Sequence, residues 1–194
     1  DDIGGLANWS MTPDGRSLAT KSHHQRVRLW KTATGERVAT FAGEHSAVAL
    51  SPDGKLLACA CLGDESAVRL YDAATGDRVA VLEGPDDSCY TGVVFSPNSK
   101  MLAAGDFKEG KPVVVWDVET GARLFSFEGH AEYTTVRFSP DSTRLYSCGC
   151  DAFVRVSSCE TGAKLFDIEC PAAGDNEVWG LALSRDGHHL ARMY

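Results

Sequence analysis

The chain has 194 residues, a formal net charge of −8, and 24% charged against 43% hydrophobic residues. That balance excludes a disordered segment and a general phosphate-backbone binder, which needs a basic surface to release counterions. No apolar run approaches the ~20 residues of a membrane-spanning helix, and the opening DDIGGLANWS lacks the basic and apolar stretches of a secretory leader.

The seven cysteines, Cys59, Cys61, Cys89, Cys148, Cys150, Cys159 and Cys170, are odd in number and form no compact framework. A reducing compartment, cytoplasmic or otherwise intracellular, is therefore expected. Cys59/Cys61 and Cys148/Cys150 are spaced i, i+2, which is not a zinc pattern. They read as small hydrophobes on one strand face, and neither a metal nor a cofactor is expected.

In chain order, one phrase is written four times: VRLWKTATGERVATFAG (27–43), VRLYDAATGDRVAVLEG (68–84), VVVWDVETGARLFSFEG (113–129) and VRVSSCETGAKLFDIEC (154–170). A second landmark keeps phase with it: TPDG (12–15), SPDG (51–54), SPNS (96–99), SPDS (139–142) and SRDG (184–187). Between the landmarks, apolar residues recur with a period of two, in runs too short for a helical stripe. Pro-Asp-Gly and Thr-Gly supply the turns between strands. Each unit thus predicts four antiparallel strands, a to d. The first unit spans 5–43, with strands near 6–12, 17–23, 26–31 and 36–42. The next three span 44–84, 85–129 and 130–170. Residues 171–194 supply two strands of a fifth, EVWGLALS (177–184) and HHLARMY (188–194).

A four-stranded repeat of this length resembles the WD-repeat β-propeller family. The dipeptide that ends strand c in that family is complete at Trp116-Asp117, partial at Tyr71-Asp72 and Trp30-Lys31, and absent at Ser157-Ser158. The Gly-His before strand a is present as Gly129-His130 and stretched as Gly43-Glu44-His45. The resemblance implies a structural bridge from that His to a strand-b Ser or Thr, a b–c turn Asp and the strand-c Trp. His130, Ser147 and Asp151 fill three of these slots in the fourth unit, with Ser157 in the fourth slot. These three residue types also make hydrolase triads, but here they read as a strut: no nucleophile elbow or oxyanion loop accompanies them.

The fold class expected is therefore all-β, a propeller of four blades plus two strands. Rings of this family close with more blades, so the remaining ones are expected from the same longer chain or from a partner chain. In such a ring the d–a and b–c connections share one face and the a–b and c–d turns share the other. The first face gathers Glu44, Asp64, Glu65, Asp86, Asp87, Asp106, Glu109, Glu132, Asp151, Asp175 and Glu177 against Arg26, Lys108 and Lys111. Two long loops, 83–92 and 105–112, lie on it, and Tyr90, Phe107 and Tyr133 are its candidate aromatic anchors. The expected function is a non-catalytic scaffold that docks a protein or peptide, with a basic surface fitting the acidic rim. A structural subunit of a large assembly and an enzyme or sensor using the central funnel are the alternatives.

Overall fold

The computed structural model describes residues 6–22, 26–41, 43–61, 66–131, 133–170 and 180–193. All regular structure among them is β. Blade 1 comprises β1 (Leu6–Met11), β2 (Ser17–Ser22), β3 (Val27–Lys31) and β4 (Glu36–Phe41). Blade 2 comprises β5 (His45–Leu50), β6 (Leu56–Cys61), β7 (Ala67–Asp72) and β8 (Arg78–Glu83). Blade 3 comprises β9 (Tyr90–Phe95), β10 (Met101–Asp106), β11 (Val113–Asp117) and β12 (Arg123–Phe127). Blade 4 comprises β13 (Thr135–Phe138), β14 (Arg144–Cys148), β15 (Phe153–Ser158) and β16 (Lys164–Glu169). β17 (Gly180–Leu183) and β18 (Leu190–Met193) pair as a two-stranded sheet. Each four-stranded sheet is an antiparallel meander in chain order.

The a–b turns explain the repeated Ser-Pro-Asp-Gly. In each, the first hydroxyl donates to the side chain two residues on: Thr12 to Asp14 at 2.7 Å, Ser51 to Asp53 at 2.7 Å, Ser96 to Asn98 at 2.7 Å. Ser139 and Ser184 do the same to Asp141 and Asp186, each at 2.5 Å. The same oxygen of the Asp or Asn accepts the amide two residues further along, as at Lys55 (3.1 Å) and Thr143 (3.0 Å). The turn is thus closed by its own side chains. The fourth position is left-handed: Gly54 has φ +74°, and Ser99 and Ser142 adopt +62° and +63° in its place.

The strand-c Asp has a parallel task in the c–d turn. Asp72 Oδ1 accepts the amides of Ala74 and Thr75 at 2.8 and 2.9 Å, and Asp117 Oδ1 accepts the amide and hydroxyl of Thr120, both at 2.8 Å. Ser158 substitutes weakly, accepting Glu160 and Thr161 at 3.2 and 3.3 Å. All four c–d pairings also shift register at the same place, just before Trp30, Tyr71, Trp116 or Ser157. Such an irregularity adds local twist.

The core lies between blades rather than within them. Val48 and Leu50 face blade 1, where Leu29 and Phe41 meet them, while Ala47 and Ala49 face blade 3. Small Ala58 and Ala60 on that side leave room for Tyr90 and Trp116, both fully buried. Burying each such large side chain contributes roughly 2–3 kcal/mol. Val136 and Phe138 repeat the pattern against blade 3, and Leu181 against blade 4. The equivalent pair in blade 1, Trp9 and Met11, is 59% and 48% exposed, since no described blade covers it. Strands a of successive blades are neighbours, β1 to β5 to β9 to β13 to β17. The sheets therefore fan about an axis lined by strands a.

Candidate interaction face

Three connections form a knit surface at the junction of blades 3 and 4. Asp106, the last residue of β10, is fully buried, and its carboxylate accepts the amides of Cys89 (2.9 Å) and Lys108 (2.8 Å). The Phe107 amide donates to Cys89 O at 2.9 Å, Thr134 to Asp106 O at 2.9 Å, and Gly110 to His130 O at 3.3 Å. The 83–92, 105–112 and 128–134 connections thus share one face. On the opposite face the c–d turns bond the a–b turns, as Ala73 does to Lys55 O and Val118 to Lys100 O, at 2.8 and 2.9 Å.

Beneath the loop face sits the fourth blade's polar strut. His130 is buried, with Nδ1 2.9 Å from Asp151 Oδ1 and Nε2 3.0 Å from Ser147 Oγ. Arg155 Nη1 donates to Asp151 Oδ2 at 2.8 Å and also lies against His130 Nδ1. Burial pulls the His130 ring down from its ordinary value, outweighing the upward pull of Asp151. Burial alone would raise the Asp151 carboxyl, but His130 and Arg155 hold it below its ordinary value. Trp30 Nε1 donates to Thr20 Oγ1 at 2.9 Å within blade 1, whereas Trp116 Nε1 donates to Glu83 O at 3.0 Å, tying blade 3 to blade 2. The family model described as WD domain, G-beta repeat matches residues 35–72 and 121–156. Those two stretches are WD repeats, and the four-stranded sheets recur around them. No curated protein matches it.

WD repeats are generally protein-interaction modules. In the fourth blade the strut departs from the WD-repeat pattern, with Ser157 in the place of the Trp. Arg155 lies opposite Ser147, and Arg69 lies opposite Cys59 at the same register of blade 2. There the His45 ring and the Arg69 guanidinium crowd Gly43, where an added Cβ would meet them at 3.2 and 3.4 Å. The strand-c arginine was not singled out from the sequence. Its signal is the shared VRL and VRV of 68–70 and 154–156.

The acidic rim is less negative than its sequence implies. Asp106 and Asp151 are committed internally. Asp87 pairs with Lys108 Nζ, which also reaches Asp87 O at 2.9 Å, and Lys111 Nζ donates to Asp86 O at 2.9 Å. Lys108, by hydrogen bond and charge, holds the Asp87 carboxyl below its ordinary range. Glu44, Asp86 and Glu109 are exposed, and no ion pair engages their carboxylates among the described residues. Asp64, Glu65, Glu132, Asp175, Glu177 and the His23-His24 pair lie outside the described residues. His188 and His189 are exposed in the β17–β18 turn.

The aromatic anchors divide. Phe107 and Tyr133 are 39% and 51% exposed and meet edge to face, ring centroids 4.4 Å apart at 88°. Tyr90 was grouped with them because it borders the long loop, but it is wholly buried and packs edge-on against Trp116 at 5.7 Å. It is core and not a contact residue: β9 begins at Tyr90, so the last three residues of a loop reading of 83–92 belong to the strand.

The cysteines behave as packing residues. Cys59 and Cys148 are fully buried in inter-blade clusters, and burial pushes both thiols up, that of Cys148 to about 12. No group of three His, Cys, Asp or Glu side chains is placed to hold a metal among the described residues. The central funnel, about 530 Å³, has Arg137 as the one titratable side chain in its lining among the described residues. Arg137 Nη1 donates to Val136 O at 2.7 Å.

Proposed function

We propose that the chain is a non-catalytic docking platform whose d–a and b–c face holds a basic protein segment. The observation that supports this most is the loop junction itself. Backbone hydrogen bonds and a buried carboxylate fix three loops, and fixed loops bind without losing much entropy. On that fixed surface stand two exposed aromatic rings and the exposed carboxylates of Asp86 and Glu109, which no ion pair engages among the described residues. Glu44 adds a third on the neighbouring connection. Carboxylates without internal partners favour a cationic surface and speed its encounter. We place this activity in a reducing compartment, a reading supported by the odd count of seven cysteines in a sequence without a compact framework.

The test is a titration with fluorescent peptides matched in length, one lysine- and arginine-rich and one neutral, at low and high salt. The basic peptide is expected to bind more tightly, to weaken steeply with salt, and to weaken again in the Glu44→Gln, Asp86→Asn, Glu109→Gln triple variant. Equal binding of both peptides, or binding indifferent to the triple variant, overturns the reading.

A further inference from the structure

Four non-glycine residues among those described adopt left-handed backbone: Asp87 (φ 62°), Ser99 (62°), Tyr133 (48°) and Ser142 (63°). Ser99 and Ser142 are accounted for by turn chemistry, since their counterparts in sister turns are Gly15, Gly54 and Gly187 at φ 70–74°. Asp87 and Tyr133 have no such counterpart. Both lie in d–a connections of the loop face, and both belong to one contact set. Asp87 holds Lys108, and Tyr133 packs on Phe107, the residue next to Lys108. Left-handed backbone is costly for a side chain such as tyrosine and persists where the surroundings enforce it, as at active sites, ligand clamps and switch regions. Here the enforcement is visible: the Tyr133 amide donates to Phe107 O at 3.5 Å and the Thr134 amide to Asp106 O at 2.9 Å. The buried Asp106 carboxylate anchors the other side of the same loop.

The result is a half-exposed, preorganised pair of rings at right angles. Lys108 and Lys111 are drawn back onto Asp87 and the Asp86 carbonyl, so the cations nearest the rings are already engaged. Glu109, two residues from Phe107, and Asp86 are exposed, and no ion pair engages their carboxylates among the described residues. An exposed ring on a face that also carries carboxylates is a surface a guanidinium fits, since it stacks on a ring and its N–H groups bind a carboxylate. An ammonium gains less, because it is a hydrated point charge without a planar face.

We infer that the Phe107–Tyr133 pair is an arginine-reading anchor, with Tyr133 held in its strained conformation to present the ring. This rests on the proposed basic partner and narrows it: the partner segment carries arginine, and lysine does not replace it.

The test uses the whole chain and three probe peptides identical except at the central positions, which are arginine, lysine or citrulline. Binding is followed by NMR, with the ring resonances of Phe107 and Tyr133 read separately from the backbone amides. The arginine peptide is expected to bind about tenfold more tightly than the lysine peptide and to shift both rings. Phe107→Ala is expected to weaken the arginine peptide about tenfold, while Tyr133→Phe keeps its affinity. Amide spectra of each variant confirm that the blades are folded. Arginine and lysine peptides that bind equally and are insensitive to Phe107→Ala overturn the anchor but leave the basic-partner reading standing. Citrulline binding as tightly as arginine overturns both, as does the absence of binding by either cationic peptide.

Discussion

The imidazole of His130 is clamped between Asp151, 2.9 Å from Nδ1, and Ser147, 3.0 Å from Nε2. That contact joins the d–a loop to strand b and the b–c turn of one blade. Replacing His130 by Ala removes the buried ring that Asp151 and Ser147 share and leaves Asp151 with Arg155 and the Phe153 amide. A loss of about 3 kcal/mol is expected, since breaking a buried hydrogen-bonded pair strands the group left behind. Ser147→Ala removes one neutral contact and should cost about 1 kcal/mol. Urea midpoints of the two variants, with the slope unchanged, check the ratio.

The same ring makes stability depend on pH with a definite sign. Burial holds the folded His130 value below the ordinary 6.5. In the interval between the two, the unfolded chain binds the proton and the folded chain does not. Stability from this group is therefore complete above 6.5 and falls as acid is added through that interval. Asp151 acts lower: its folded value is below 3.8, so its contribution is present above 3.8 and is lost as pH drops past it. Asp141, held at about 2 first by the Ser139 hydroxyl and then by Thr143, adds to this lower stage. Unfolding midpoints taken at about pH 7 and about pH 5 should differ in the parent and converge in His130→Gln. A parent and variant with identical pH slopes would remove the assignment.

Ser142 separates backbone strain from a blade-to-blade bond. Its φ is +63°, and its Oγ accepts the Asn98 amide at 3.2 Å across the gap between blades 3 and 4. Ser142→Ala loses the bond and keeps the strain, costing about 1 kcal/mol. Ser142→Gly loses the bond but relieves roughly 1 kcal/mol of left-handed cost, so it should match the parent. Thermal midpoints that place Gly at or below Ala would refute the strain at this turn.

Blade count, strand order and the pairing of loop faces were legible because they depend on short-range chemistry that repeats. Ser-Pro-Asp-Gly closes its own turn, Asp117 opens the next, and alternation fixes which residues face a neighbour. His130, Ser147 and Asp151 were legible for the same reason: each occupies a fixed place relative to a turn. The state of the acidic rim was not. Asp106 and Glu109 look alike in sequence, yet one is fully buried under two amides and the other is exposed. That difference is decided by how the 83–92 loop crosses the 105–112 loop, a contact between units that no single repeat encodes. Arg155 is not marked by the repeat, because a strand-c arginine reads as solvated until the fold brings it against His130 and Asp151.

Gly129 marks how tightly the 128–134 connection crosses the 105–112 loop. A Cβ there would lie 1.7 Å from the Lys111 carbonyl oxygen, backbone against backbone. Gly129→Ala must part the two connections and is expected to cost about 3 kcal/mol or more, in the range of severe overpacking. It should also abolish peptide binding on the loop face. By contrast, Gly110→Ala, with open space at its Cβ position but φ +70°, should cost only the left-handed term of about 1 kcal/mol. Similar losses at both sites, measured by urea midpoint, would mean the crossing is looser than the structure has it.

Tyr90 offers the sharpest contrast between core and contact. Its ring is wholly buried against Trp116, and burial pushes its phenol up to about 12. The Ser88 hydroxyl lies near without the geometry of a hydrogen bond, and the phenol has no partner among the described residues. Deleting that hydroxyl therefore removes a desolvation cost and keeps the packing. Tyr90→Phe should leave stability unchanged or raise it by up to about 1 kcal/mol, with peptide binding unaltered. Tyr90→Ala empties the space between blades 2 and 3 and should cost about 4 kcal/mol, weakening binding only through lost folded protein. A Tyr90→Phe variant that is fully stable yet binds the basic peptide less well would return this residue to the interaction face.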